Sequence, residues 1–207
     1  MPREYDAWLE FIFNPPSTEP KFWFWDGDYE QAIVPAAQVC LVHVCRLFQS
    51  SAGLLTTYTP KRIDEGLWRI VHFLDDWLDS PALALALRLE VIGWMPTLFR
   101  DSLGRVTCKT CYTSYMWWDC LRSLTGGFHR TKTPELLPAM REAMLAMLRS
   151  DNASEVASAV HGLGHLVADR ADQPARAALL ALRKTNGHAM DAELRDQLDR
   201  AIAGTTH

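Results

Sequence analysis

Two histidines, His161 and His165, have the clearest capacity for chemistry in this chain; they lie four residues apart within the stretch 159–167. On a helix that spacing brings both imidazoles to one face, where they can share a metal ion. It is the histidine spacing of the zinc-protease helix. The position after the first histidine, where that motif carries its general-base Glu, is however Gly162, and no third ligand follows nearby. Peptide hydrolysis is therefore not expected. The plainer expectation is a pair of histidines that hydrogen-bond within a helical stack, with a shared metal as the chemical alternative.

A second group of donors is Cys108, Cys111, Cys120 and His129, in the pattern C-x2-C-x8-C-x8-H. These are ligands of the soft type that zinc prefers. Against a zinc site stands the place of Cys120 in a strongly apolar segment, since unpaired cysteine is among the most buried residue types. Cys108 and Cys111 would otherwise be a redox pair, but no thioredoxin-like βαβ pattern surrounds them. Acidic residues gather at Asp75, Asp76 and Asp79 around Trp77, and at Asp26, Asp28 and Glu30. Solvated faces or helix caps account for them more simply than a carboxylate pair for glycoside hydrolysis. Phosphate-binding glycine loops and the G-x-S-x-G elbow are absent from the sequence.

The segments that must position these residues read as helices. Asn152 precedes Glu155 by three, a capping-box start, and Val156, Ala159, Val160, Leu163, Leu166 and Val167 follow at the period of one buried face. Gly162 and Gly164 each cost a helix about 1 kcal/mol relative to Ala, which a closely approaching neighbour would explain. Asp169 or Asp172, with Pro174, opens a second helix that Asn186-Gly187 closes in a left-handed stop, and a third runs from about 191 to 203. Upstream, Thr59-Pro60, Ser80-Pro81 and Thr133-Pro134 repeat one start signal, a cap followed by proline. Pro96 should kink or divide the helix after Ser80. A near-continuously apolar helix is expected to end at Phe48, and 101–113 reads as a polar loop. Phe22-Trp23-Phe24-Trp25 reads as a buried aromatic segment.

Composition narrows the class. With 207 residues the chain can bury a substantial core, and 8 tryptophans fall in its first three fifths. The formal charge of -4, without a basic run, excludes an electrostatic footprint for nucleic acid. No apolar run reaches membrane-spanning length, and the first residues lack the blocks of a signal peptide. With 5 cysteines, an odd number, and no export signal, reduced thiols and a cytoplasmic location are expected.

Trp8 with Phe13-Asn14-Pro15, Tyr115-Met116-Trp117-Trp118-Asp119 and Ala159-Val160-His161-Gly162-Leu163-Gly164-His165 together resemble a group of uncharacterised bacterial proteins with a HEAT-like C-terminal half. The resemblance implies a solenoid-like α-helical fold and carries over no catalytic residue. The fold expected is thus all-α, with antiparallel HEAT-like hairpins stacked as a short α-α superhelix. A single domain spans 1–207, with an aromatic, irregular portion at 1–30 and the helical-repeat stack at 60–207. The function expected is a non-catalytic scaffold that binds a protein or peptide partner, with a homodimer compatible with that role. The alternative is a metal-binding protein or metal-dependent enzyme using His161 and His165 or the Cys108, Cys111, Cys120 and His129 group, with zinc as the cofactor.

Overall fold

The computed structural model describes residues 4–15, 37–123, 133–187 and 189–206. The aromatic quartet 22–25, the acidic residues 26–30 and His129 lie outside them. Among the described residues the fold is all-α. The helices are α1 (Tyr5–Phe13), α2 (Ala37–Gln49), α3 (Leu54–Thr57), α4 (Pro60–Leu78), α5 (Leu85–Asp101), α6 (Thr113–Ser123), α7 (Leu136–Met147), α8 (Ala153–Arg170), α9 (Gln173–Asn186) and α10 (Ala192–Ala203).

The helices pack by skipping one along the chain. α4 packs on α6, α6 on α8 and α8 on α10, while α5 packs on α7 and α7 on α9. Two layers result, and α7, α8, α9 and α10 also touch across them. Side-chain pairs give the direction of the first layer. Along α6 and α8, Ser114 meets Ser158, Asp119 meets His161 and His165, and Arg122 meets Asp169. Along α8 and α10, the Gln197 side chain donates to the Ala157 carbonyl, and Gly164 lies against Ala201. Residue numbers rise together on both helices of each pair, so these neighbours run parallel.

Local chemistry sets most helix starts. Thr59 accepts from the Arg62 amide, Asn152 from those of Ser154 and Glu155, Asp172 from Ala175 and Asp191 from Leu194. Each supplies an acceptor to an otherwise unpaired first-turn donor. The capping box at Asn152 is one-sided: Glu155 instead accepts from the Ser150 hydroxyl at 2.6 Å. Two start signals are displaced. The helix expected after Ser80-Pro81 begins at Leu85, and that after Thr133-Pro134 begins at Leu136. Thr133 has another task, because its amide donates to Asp79 and its hydroxyl accepts from the buried Arg88. Pro96 is accommodated within α5, which continues to Asp101. Gly187 has a right-handed φ of -58°, so Asn186-Gly187 is not the left-handed stop expected; Ala171 and Gly204 adopt that conformation instead. The polar stretch after Asp101 contains a short 3-10 turn, Leu103–Arg105.

The core is continuous from α1 to α10 and centres on Trp117 and Trp118, both fully buried, with Phe99 stacked on Trp118 at 6.3 Å between ring centres. α1 lies against α4, where Phe13 occupies the space above Gly66 that a Cβ would fill. No single helix among the described residues is long and apolar enough to cross a membrane.

The acidic cluster at the end of α4, expected as a solvated face or a helix cap, includes the C-cap residue Asp79 and is largely buried. Asp75 and Asp79 are buried and Asp76 is exposed. Burial, with Asp76 and Asp79 nearby, pushes the Asp75 carboxyl up to about 7, and its Oδ2 has no hydrogen-bond partner. The fold therefore favours the neutral acid: the folded chain holds a proton that the unfolded chain releases near pH 3.8. Stability should fall by about 1.4 kcal/mol per pH unit as pH rises from about 4 to about 7, then level off. In Asp75→Asn that component of the slope should vanish, and urea midpoints at pH 5 and pH 8 should lie closer together than in the parent chain.

Candidate metal centre

Three side chains from two helices converge in the first layer. Asp119 comes from α6, and His161 and His165 from successive turns of α8. The Asp119 carboxylate bridges both rings, with Oδ2 at 2.6 Å from His161 Nε2 and Oδ1 at 2.8 Å from His165 Nε2. The two Nε2 atoms are 3.1 Å apart. His161 and His165 are 1% and 0% exposed, whereas the Asp119 side chain keeps 21% exposure.

The local sequence explains the arrangement. Trp117 and Trp118 face the core, and the helical turn then presents Asp119 to α8 rather than to water. Gly162 lets α8 approach: a Cβ there would lie 2.6 Å from Trp118 Cγ and 2.5 Å from Met144 Sδ. Gly164 plays the same part toward Ala201 of α10. Below the site, Arg122 forms a two-pronged ion pair with Asp169 at 2.6 and 2.8 Å, fixing the parallel register of α6 and α8.

Burial raises the cost of charge on Asp119, but hydrogen bonds from His161 and His165 outweigh it and hold the carboxyl well below the usual carboxylate range. The site thus offers a fixed negative charge and two imidazole nitrogens. Cis ligand atoms around a first-row ion, at about 2.1 Å from the metal, are separated by about 3.0 Å in octahedral and about 3.4 Å in tetrahedral geometry. The donor atoms here lie within 4.8 Å of one another, and such an ion would enter by displacing the hydrogen bonds between the carboxylate and the imidazoles.

His161 also forms part of the wall of a pocket completed by Tyr115, Gln197, Arg200, Thr205 and Thr206. The Tyr115 ring lies 4.3 Å from that of His161. Burial, then the Asp119 charge, raises the Tyr115 phenol above its ordinary value, so it keeps its proton through neutral pH. Arg200 pairs with Asp196 at 3.1 Å.

No protein-family model matches the chain, and no curated protein or solved structure matches it significantly. Assignment of the site therefore rests on its own geometry.

The sequence identified two of these three residues. Asp119 is the third donor, and it comes from a different helix instead of following His165. Its signal was a lone carboxylate in the otherwise bulky run 115–121, where a buried charge requires partners.

The cysteine group is arranged differently. Cys108 and Cys111 are joined in a disulfide, so the expectation of five reduced thiols does not hold for this pair. Cys120 is a buried thiol outside the disulfide, and burial, with Asp119 and Asp75 nearby, pushes it up to about 12. Among the described residues, Asp119, His161 and His165 form the group whose donor atoms converge as a metal would require.

Proposed function

We propose that this protein binds a divalent first-row transition ion, of the zinc or ferrous type, through Asp119, His161 and His165, and uses it on a small polar molecule in the adjoining pocket. The observation that carries the reading is the single Asp119 carboxylate reaching both buried Nε2 atoms at 2.6 and 2.8 Å. A two-histidine, one-carboxylate set with three protein ligands leaves coordination positions for water or substrate, as catalytic sites do and closed structural sites do not. A metal bound there would lower the pKa of a coordinated water or polarise a substrate oxygen. The protonated Tyr115 phenol and the Gln197, Thr205 and Thr206 side chains provide the polar wall that would orient that molecule.

One feature sets the expected strength. Ring nitrogens that bind a metal through Nε2 carry their proton on Nδ1, and in most sites that proton has an acceptor. Here Nδ1 of His161 and of His165 is buried without a hydrogen-bond partner. Affinity should therefore be about 10–100-fold weaker than in a site with supported imidazoles, giving an exchangeable metal. Calorimetric titration of the chelator-treated chain with zinc or cobalt should give one equivalent bound. It should also raise thermal stability, by about 2.7 kcal/mol at a hundredfold excess over Kd. Absence of both heat and stabilisation would overturn the reading.

The parallel first layer and the alternating packing of the second also support a HEAT-like α-α superhelix. In such a stack the metal ligands lie on neighbouring helices of one layer, and α10 forms the outer wall of the pocket.

A further inference from the structure

The geometry points to Cys108 and Cys111 as a reversible redox site that exchanges two electrons with an external dithiol or disulfide. Cys108-Lys109-Thr110-Cys111 forms a tight turn just ahead of α6, closed by the disulfide and by a hydrogen bond from the Cys111 amide to the Cys108 carbonyl at 3.2 Å. Cys108 is exposed, as are Lys109 and Thr110, and Cys111 is half-buried. A solvent-facing sulfur meets the first requirement for thiol exchange, access. Cys40, Cys45 and Cys120 lack the first: all are buried, and burial pushes their thiols up to about 11, 12 and 12.

The surrounding structure lets the bond open without loss of the fold. The start of α6 is held separately, by the Thr113 amide donating to Asp64 Oδ1 at 3.0 Å and the Thr113 hydroxyl donating to the Asp64 carbonyl at 3.1 Å. Tyr112 is anchored on the Trp68 ring at 5.3 Å. The disulfide closes only a very short loop, which is the least stabilising kind. Its role in the fold is thus small, and its exposure favours exchange.

In the reductive direction an external thiolate attacks the exposed Cys108 Sγ. A mixed disulfide forms, the Cys108–Cys111 bond breaks, and the electron pair leaves on Cys111, which takes up a proton. The second thiol of the reductant then attacks the mixed disulfide, releasing Cys108 as thiolate, which is protonated in turn. Overall the disulfide and a dithiol become a dithiol and a disulfide, and the chain gains two electrons and two protons. Oxidation follows the same path backwards, with the Cys108 thiolate as the nucleophile.

The test uses the full chain, equilibrated in mixtures of reduced and oxidised dithiothreitol, quenched with iodoacetamide and weighed. The quenched chain should carry either two alkyl groups or none on Cys108 and Cys111, in the same proportion whether equilibrium is approached from the reduced or the oxidised side, with unchanged helical circular dichroism and without alkylation of the buried thiols. Cys111→Ser should form a mixed disulfide with oxidised glutathione at Cys108 on the order of ten-fold faster than Cys108→Ser does at Cys111. A bond that opens only when the chain unfolds, a pair that fails to close in oxidised buffer, or equal rates for the two variants would overturn the inference. None of these readouts involves metal, so the result is independent of the Asp119 site.

Discussion

Asp119→Ala should abolish metal binding while leaving a folded, helical chain. The carboxylate is the only anionic member of the group, and it faces both imidazoles at hydrogen-bonding distance. Its removal takes away one ligand and the charge that offsets the cation, so affinity should drop by more than the roughly 10–100-fold typical of losing an outer-sphere partner. The variant also leaves two buried imidazoles without their shared acceptor. On top of the metal effect, metal-free stability should fall by about 1–3 kcal/mol. Asp119→Asn separates the two effects, since it keeps the shape and one acceptor oxygen but loses the charge. Its metal-free stability should stay closer to the parent chain, whereas its cobalt affinity should fall nearly as far as that of the alanine variant. Cobalt absorption and calorimetry read the first quantity, and urea unfolding reads the second. Parent-like cobalt binding in Asp119→Asn would remove the carboxylate from the ligand set.

Gly162→Ala should destabilise the chain, the reverse of what helix propensity alone dictates. In an open helix the substitution would gain about 1 kcal/mol. At this position the new methyl meets Trp118 Cγ at 2.6 Å and Met144 Sδ at 2.5 Å. Met144 can rotate, but the Trp118 ring is fully buried and stacked on Phe99. Overpacking of this kind costs about 1–3 kcal/mol, and α8 must move away from α6 to relieve it. Because His161 adjoins Gly162, the separation between Asp119 and the imidazoles should widen, and metal affinity should fall with stability. Gly93→Ala is the matched control: it lies within α5, and its added methyl meets nothing within 4 Å. It should gain stability by about 1 kcal/mol in the same urea titration. Equal effects at the two positions would rule out close approach as the reason for Gly162.

Helices were legible in the sequence wherever a stripe of apolar residues coincided with a capping side chain, as at Thr59, Asn152, Asp172 and Asp191. Each of those residues satisfies amides within its own first turn, so the information is local. Thr133 and Ser80 carried the same signature without starting a helix at that point. In the case of Thr133 its backbone and hydroxyl are engaged by Asp79 and Arg88, groups distant in sequence. The site shows the same division. His161 and His165 share a face because of helical periodicity, which spacing reveals. Asp119 joins them only because α6 and α8 run parallel as neighbours within a layer, and it lies 42 residues before His161. Residue spacing within one helix contains no information on that register, which is fixed by Gly162, Trp118 and the Arg122–Asp169 pair. The disulfide was hidden for another reason: composition bears on the average state of thiols, whereas one exposed pair in a tight turn is decided by its own geometry.

The shared direction of α4, α6, α8 and α10 also has an electrical consequence. Peptide dipoles in side-by-side parallel helices repel, and their carbonyl ends gather partial negative charge along one rim of the layer. Arg122, Arg170 and Arg200 occupy the last turns of α6, α8 and α10. Each guanidinium meets the carbonyl end of its own helix favourably, while Asp169 and Asp196 pair with Arg122 and Arg200 and keep net positive charge from gathering there.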